Sequence, residues 1–262
     1  VLLLGSDHRT TGGGYRTDTM IVVSTVPETK EVSAVSVPRD VAQFPLPEGG
    51  VYGPKVNGLY STYLERVGGE GHAGAGPLMK VTFANALGIE IDYYVFIGFG
   101  GVVELIDAVG GVEVTLEETY SDPSYQVSPS EIGVTFPAGV NQLDGERALI
   151  FARSRKGDND FERARRQQLL VAAAVKAVAE RGLDQLPELI EMAKPHISTD
   201  LPIEAYDLLF EVVGSSDVDE ARREVLGPPT YAVPAGGTDY ALQLEVVRDL
   251  AQELFGLVDG AE

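Results

Sequence analysis

Two runs rich in β-branched residues lie close together near the start of the chain. Thr19–Val26 (TMIVVSTV) and Glu31–Val37 (EVSAVSV) are separated only by the short polar segment PETK. Such a pair of runs predicts a β-hairpin. Because hairpin strands run antiparallel, the fold cannot be built from repeated βαβ units alone.

The rest of the chain alternates between predicted strands and predicted helices. The strands are Val1–Leu4, Ile91–Ile97 and Val112–Leu116, with another around Thr230–Val233. The helices are Val56–Val67, Pro77–Leu87, Val102–Val109, Leu143–Phe151 and Phe161–Arg181, with others near 184–193, 202–213 and 239–256. The segment Glu117–Ala138 is polar, contains three prolines and is predicted to be a long loop. We expect an α/β fold, a mixed sheet covered by helices on both faces.

The charge of the chain excludes several classes of protein. Twenty basic and 40 acidic residues give a net charge of -20. This balance argues against binding to nucleic acid and against general attraction to anionic membranes. The chain has no cysteine, so disulfides and thiolate metal sites are excluded. It also contains no zinc-protease, nucleophile-elbow or phosphate-loop motif, which disfavours those reaction types.

Against this acidic background, residues 153–167 (RSRKGDNDFERARRQ) are unusually basic for their length. Asp160 is expected to cap the following helix, with Arg163 and Gln167 on the same helical face. Arginines near a helix N-terminus are electrostatically unfavourable unless an anion compensates them. That anion is either a set of protein carboxylates or a bound phosphate, and the pattern favours phosphate.

A second group of polar residues lies at predicted strand ends. Asp7 and Arg9 follow the first strand, and Arg16 and Asp18 precede the second. Two carboxylates at neighbouring strand ends suit Mg²⁺, with Mn²⁺ as an alternative, and arginines beside them suit phosphate oxygens. Strand-end salt bridges are the structural alternative. The motifs VPRD, with Arg39, and KVN, with Lys55, are weak signals by themselves.

Taken in order, GSDHR, RTDTM, VPRD, KVN, IDYYVFIGFGGVVELIDAVGGVEV, LDGERALIFARSR and DFERARRQQ resemble the LytR-CpsA-Psr family of bacterial envelope enzymes. The resemblance covers residues 1 to about 175. It implies one domain over 1–262, a three-layer α/β/α sandwich with a mixed central sheet. The core would be about 1–181 and the C-terminal portion about 182–262.

The resemblance also assigns roles to the site residues. Asp7 and Asp18 match carboxylates that hold Mg²⁺. The pyrophosphate-binding positions are Arg9, Arg16, Arg39, Lys55, Arg153, Arg155, Arg163 and Gln167. Arg39, Arg153, Arg155, Asp160 and Arg163 are the expected catalytic residues, and either Asp160 or Asp18 could serve as the base.

The implied reaction is phosphotransfer. A glycopolymer would move from a polyprenyl-pyrophosphate carrier onto peptidoglycan, forming a phosphodiester, with pyrophosphate hydrolysis as a side activity. The domain would lie outside the cytoplasmic membrane behind an N-terminal transmembrane helix that is missing from this sequence. The apolar helices Val102–Val109 and Leu169–Val178 are either core helices or walls of a prenyl groove. The alternative function is a binding module that holds polyprenyl phosphate or an anionic polymer without turnover.

Overall fold

The computed structural model describes residues 1–7, 15–26, 29–68, 74–155, 159–181, 189, 191–192, 194–202, 205 and 220–256. The strands within these ranges are β1 (Leu2–Ser6), β2 (Thr17–Thr25), β3 (Val32–Ser36), β4 (Phe44–Pro45), β5 (Val51–Tyr52), β6 (Tyr94–Gly98), β7 (Val112–Leu116), β8 (Tyr120–Ser128), β9 (Glu131–Phe136), β10 (Gly139–Leu143), β11 (Ile197–Thr199), β12 (Arg222–Val225), β13 (Ala232–Gly236) and β14 (Asp239–Leu242). The α-helices are α1 (Leu59–Arg66), α2 (Ala75–Leu87), α3 (Phe99–Ala108), α4 (Gly145–Arg153), α5 (Asp160–Arg181) and α6 (Leu244–Phe255).

The central sheet is mixed and has six strands in the order β11-β6-β1-β2-β3-β12. The β2–β3 hairpin is antiparallel, as the β-branched runs predict. Parallel pairing joins β1 to β6 and β3 to β12. Helices cover both faces, which confirms the predicted α/β/α architecture.

The two faces of the sheet carry separate apolar cores. On one face, β1 and β2 contribute to the larger core with α1, α2 and α6. On the other face, α3, α4 and α5 pack with the β7–β10 and β8–β9 pairs. Gly145 allows α4 to approach α3 closely, because a Cβ at this position would lie 2.3 Å from the carbonyl oxygen of Val103.

Alternation along β1 divides its side chains between the two faces. Leu2 and Leu4 are fully buried and belong to the larger core. Leu3 and Gly5, at the intervening positions, are less buried and line a cavity on the face covered by α3 to α5. One set of side chains of this strand therefore packs into a core, and the other set forms the floor of the cavity.

The predicted loop over Glu117–Ala138 is wrong, because most of it forms the antiparallel β8–β9 hairpin. The loop is predicted because its three prolines are a typical loop signal. Pro123 falls between Asp122 and Gln126, where the register shifts and the regular ladder is interrupted, so its missing N–H is tolerated. Stacking of Tyr120 on Phe136, with ring centroids 6.3 Å apart, ties the base of the hairpin to the smaller core.

Two helix boundaries also differ from prediction. The segment predicted as one helix over 239–256 begins with strand β14, which pairs with β13, and only then becomes α6. Residues 56–58 form a 3₁₀ turn before α1. The helices predicted near 184–193 and 202–213 lie largely outside the described residues. Among the described helices, none combines the length and apolar character that crossing a membrane requires.

Candidate functional site

A cavity of about 370 Å³ lies between the central sheet and helices α3, α4 and α5. Most of its wall is apolar. The sheet contributes Leu3, Gly5, Val95 and Ile97, and the helices contribute Val102, Leu105, Ile106, Leu170, Val171, Ala174 and Val175. The helices over Val102–Val109 and Leu169–Val178 are each predicted to be either core helices or walls of a groove. Both line this cavity, and Ile106 and Leu170 also belong to the smaller core.

The polar part of the same cavity brings together residues from distant parts of the chain. Its polar lining residues are Asp7, Asp18, Thr19, Arg153, Arg155, Arg163 and Gln167. The strand-end carboxylates and the basic stretch, predicted separately, therefore meet at one place. Arginine donors next to an apolar channel form an amphiphilic site, suited to a ligand with an anionic head and an apolar tail.

Helix α5 presents Arg163 to this cavity, and its cap is not the predicted one. The side chain of Asn159, rather than Asp160, accepts the backbone N–H groups of Phe161 and Glu162 at 2.9 and 3.0 Å. This capping leaves the Asp160 carboxylate available to Arg163 Nη1, at 2.5 Å. Only 4% of the Arg163 side chain is exposed, and burial, together with Arg39, lowers the pKa of its guanidinium.

Asp160 is the centre of a cluster of ion pairs. Besides Arg163, it faces Arg155 Nε at 3.4 Å and Arg39 Nε at 3.7 Å. Arg39 continues the cluster to Asp18, where Nη1 donates to Oδ2 at 3.1 Å. The Nε atoms of Arg39 and Arg163 are buried and have no hydrogen-bond partner within the described part of the chain. These arginines thus retain donor capacity for an anion.

Asp160 and Asp40 are neighbouring carboxyl groups whose pKa values shift in opposite directions. Burial raises the pKa of Asp160, and its hydrogen bond with Asp40 raises it further. Burial also acts to raise the pKa of Asp40, but hydrogen bonds with Asp160 and Lys55 outweigh it, so the Asp40 pKa is lowered. Of the two carboxylates, Asp160 is therefore the stronger proton acceptor.

The segment that carries Arg153 and Arg155 is held from behind by Arg166. This buried arginine donates to the carbonyl oxygens of Phe151 and Ser154, the latter at 2.7 Å, and its Cζ lies 3.8 Å from the Tyr120 ring centroid. Arg165, by contrast, is 59% exposed and pairs with Glu162.

Asp122 is a contributor that the sequence did not reveal. It is almost fully buried, and its Oδ2 accepts the backbone N–H of Arg155 at 3.0 Å. Arg153 ends helix α4, and its guanidinium carbon lies 4.5 Å from the centroid of the Phe99 ring. The β8–β9 hairpin therefore positions the backbone of Arg155. An aspartate beside a proline in a polar segment carries no local signal for this role.

The carboxylates of Asp7 and Asp18 lie close enough for their negative charges to interact. Burial raises the pKa of the Asp7 carboxyl, and the negative charge of Asp18 raises it further. The Oδ1 atom of Asp7 is buried and has no hydrogen-bond partner among the described residues. Asp18 is held by Arg39 and by Asn57, whose Nδ2 donates to Oδ1 at 3.0 Å. An unsatisfied carboxylate oxygen beside a second carboxylate fits a divalent cation.

The remaining predicted residues have different surroundings. The Lys55 ammonium contacts the carboxylate of Asp40, Thr238 at 3.0 Å and Asp239 at 3.4 Å, and it does not line this cavity. Arg16 is exposed, and its carbonyl oxygen accepts the N–H of Asp7 at 3.2 Å. Gln167 lines the cavity and donates to the carbonyl oxygen of Ala152 at 3.2 Å. Arg9 lies outside the described residues.

Comparison with known proteins gives a consistent result. The LytR_cpsA_psr family model matches residues 1–223. The chain is 32% identical over 206 residues to the Enterococcus faecalis protein named polyisoprenyl-teichoic acid–peptidoglycan teichoic acid transferase TagU, covering 77% of this chain and 61% of that protein. It is 27% identical over 237 residues to biofilm regulatory protein A of Streptococcus mutans, covering 89% of this chain and 55% of that relative. The chain thus spans somewhat more than half the length of these relatives.

The fold comparison agrees with the sequence comparison. The crystal structure of TagV from B. subtilis superposes with a TM-score of 0.72 at 26% identity, covering 96% of this chain and 94% of that one. The resemblance therefore extends over the sheet and both helical layers, including the elements that form the cavity. On the family match and this fold, the chain belongs to the LytR-CpsA-Psr family.

Proposed function

We propose that this domain transfers a glycopolymer from a polyprenyl-pyrophosphate carrier to a hydroxyl group of peptidoglycan. The observation that supports this most strongly is the junction of an apolar cavity with Arg153, Arg155 and Arg163. A prenyl chain would occupy the apolar part, and the pyrophosphate would lie against the arginines. The name of the TagU relative describes the same type of reaction for that protein.

This reaction does not require a covalent intermediate with the protein. Phosphoryl transfer is catalysed mainly by positioning and by stabilising charge that develops on the phosphate oxygens. Arg163 is buried and prepaired with Asp160, so its position is fixed before substrate binds. Arg39, Arg155 and Arg163 surround one carboxylate, which keeps three cations together where they would otherwise repel one another. These donors would hold the pyrophosphate and stabilise the leaving prenyl phosphate.

Asp160 is our candidate for the base that accepts the proton of the attacking hydroxyl. Its raised pKa makes it a better proton acceptor than an ordinary aspartate. Asp18, the other candidate from sequence, is held by hydrogen bonds from Arg39 and Asn57. Those bonds occupy both of its carboxylate oxygens, so they leave less room for an attacking hydroxyl group.

Asp7 and Asp18 would hold Mg²⁺, or Mn²⁺ in its place. When bound, such an ion supplies positive charge to the pyrophosphate oxygens. If the assignment is correct, Mg²⁺ should raise the melting temperature of the protein itself, since an ion bound to the folded state stabilises it. The Asp7→Asn variant should lose that shift. An equal Mg²⁺ shift in the variant would exclude Asp7 as a ligand.

The location of the domain is also a proposal. Polyprenyl carriers reside in membranes and peptidoglycan lies outside the cytoplasmic membrane, so the substrates meet at its outer face. A membrane anchor N-terminal to the domain would place the cavity next to the carrier. Hydrolysis of the pyrophosphate, with water as the acceptor, would be the side reaction.

The experiment that tests the function is a direct product assay. Purified protein is supplied with a polyprenyl-pyrophosphate-linked glycan, Mg²⁺ and peptidoglycan, and both prenyl phosphate and glycan-bearing peptidoglycan are measured. Arg163→Ala and Arg155→Ala should each lower turnover about 10²- to 10³-fold, the usual effect of removing a donor to developing negative charge. Arg165→Ala is the matched control, since Arg165 lies on the same helix but is exposed.

The alternative function, binding without turnover, is distinguished by the same assay. One relative is named a biofilm regulatory protein, which is compatible with such a role. A pure binding module would form no product with Mg²⁺ at any time, although the arginine variants would still lose affinity for the carrier. Undiminished turnover in both arginine variants would instead refute the arginine assignment.

A further inference from the structure

A second cavity, of about 500 Å³, is lined by Asp160, which does not line the first cavity. Arg155 lines both cavities, and Asp160, which lines the second, is paired with Arg163, which lines the first. The cationic cluster therefore forms a partition, with the apolar channel on one side and this second space on the other.

Helix α5 gives the order of these compartments. Asp160 and Phe161, in its first turn, line the second cavity. Arg163 and Gln167 follow at the polar part of the first cavity, and Val171 and Ala174 lie further along in its apolar part. At 1.5 Å per residue, Ala174 is about 21 Å along the axis from Asp160. Along this helix Arg163 thus lies between the apolar channel and the second cavity.

The lining of the second cavity differs in chemistry from that of the first. Phe161 and Tyr240 contribute two aromatic rings in an edge-to-face arrangement, with centroids 5.4 Å apart. Asp40 and Thr238 add oxygen acceptors at the wall. Aromatic faces combined with a few fixed polar groups suit a neutral, hydroxyl-rich ligand.

Charge argues against a second anion in this space. Asp40 and Asp160 are acidic, and Arg155, the cation in the lining, is already paired with Asp160. Lys55, which contacts Asp40, Thr238 and Asp239, is neutralised by two carboxylates. A further phosphate group would be repelled by the carboxylates, whereas a sugar hydroxyl can donate to them. The described lining of the second cavity also lacks the aliphatic wall that a prenyl chain requires.

We propose that the second cavity is the acceptor subsite, which holds a saccharide unit against Phe161 and Tyr240 and directs its hydroxyl past Asp160 to the bound pyrophosphate. This inference rests on the proposed function. The hydroxyl oxygen forms a bond to the glycan-side phosphorus, and the bond from that phosphorus to the bridging oxygen breaks. The bridging oxygen leaves with the electron pair as prenyl phosphate, and the hydroxyl proton passes to the Asp160 carboxylate. Attack and departure then take place on opposite sides of the phosphorus, as in-line transfer requires.

The test compares transfer with hydrolysis for one and the same donor. The acceptor is uncrosslinked peptidoglycan glycan strands, and water is the competing acceptor in every reaction. Tyr240→Leu should raise the KM for the glycan strands about tenfold, the loss expected for a fully desolvated ring contact. The ratio of transfer to hydrolysis should fall by a similar factor. Tyr240→Phe keeps the ring and should restore both values.

A second variant guards against misfolding. Thr238 is exposed in the turn before β14, so Thr238→Leu narrows the cavity without disturbing the core. It should lower the transfer-to-hydrolysis ratio in the same direction. Tyr93→Leu is the matched aromatic control, because Tyr93 lines neither cavity, and it should change neither quantity.

The outcomes separate this inference from the proposed function. If wild-type protein releases no prenyl phosphate and forms no transfer product, the proposed function fails. If wild-type protein transfers glycan but Tyr240→Leu and Thr238→Leu retain the wild-type acceptor KM, only the acceptor subsite is wrong. An equal fall of transfer and hydrolysis in both variants would also overturn it, since that result indicates damage to the phosphate site.

Discussion

On one face of the central sheet, Leu2 and Leu4 are fully buried in the core with α1, α2 and α6. On the opposite face, Leu3 and Gly5 of the same strand border an open cavity whose arginines are held in place by carboxylates. The first face is close-packed around these leucines, whereas the second has space that a ligand can fill. Substitutions on the first should change stability, and substitutions on the second should change binding and turnover.

The largest expected effect is on the packed face. Phe83 is fully buried and contacts Phe44, with ring centroids 5.0 Å apart. Phe83→Ala should lower the free energy of unfolding by about 3–5 kcal/mol, because it leaves a cavity in a close-packed core. Chemical denaturation measures the change. Leu105→Ala, on the cavity face, is the comparison and should cost clearly less, since Leu105 already borders open space. Equal losses would remove the distinction between the faces.

Next in size is the link between the β8–β9 hairpin and the site. Asp122→Ala removes the acceptor of the Arg155 N–H and leaves partly buried donors unpaired, at a cost of about 1 kcal/mol. Turnover should also fall, because Arg155 is no longer held at the partition. Ser124→Ala is the control: Ser124 donates to the other oxygen of Asp122, so its loss leaves the Arg155 contact intact. Full turnover in Asp122→Ala would show that the hairpin does not position Arg155.

The next change concerns the open space itself. Ala174→Phe places a ring in the apolar cavity and should weaken binding of a polyprenyl pyrophosphate about tenfold, or about 1.4 kcal/mol. Stability should change little, because the ring occupies existing space. Ala172→Phe, on the same helix but not lining the cavity, is the matched control. Equilibrium binding of a fluorescent prenyl pyrophosphate is the measurement, and equal affinity in Ala174→Phe would place the lipid elsewhere.

The smallest expected effect tests the cap that frees Asp160. Asn159→Ala should lower the unfolding free energy by about 1 kcal/mol, as is usual for loss of an N-cap side chain. Asn159→Asp keeps an acceptor and should retain most of this stability. If Asn159→Ala costs nothing, the cap is supplied by another group, and Asp160 is the first residue to examine.

Sequence reasoning succeeds where the signal is local or where charge is out of place. The β-branched runs of β2 and β3 predict their hairpin, and the surplus of arginines near the start of α5 predicts a compensating anion close to Arg163. Without a ligand, the Asp160 carboxylate compensates the positive charge of Arg163, and the cavity beside Arg163 leaves space for a further anion. Both alternatives that the sequence leaves open, carboxylates and phosphate, are therefore compatible with this one arrangement.

Prediction fails where contacts join distant residues. Lys55 contacts Thr238 and Asp239, and no local pattern indicates a partner so far along the chain. Asp122 escapes prediction because its role depends on a hairpin whose prolines suggest a loop. The strand β14 is mistaken for helix because four residues next to a strongly amphipathic helix are too few to show their own period.

The pairing of β3 with β12 has a consequence for how the molecule is made. Ser33 lies beside Arg222, so the edge of the central sheet cannot close until most of the chain has been synthesised. The β2–β3 hairpin can form early, because its partners are neighbours in sequence, but its outer edge then waits unpaired. During that interval the free edge of β3 can pair with another chain. The yield of folded protein should therefore fall as protein concentration rises, even though the finished domain is stable.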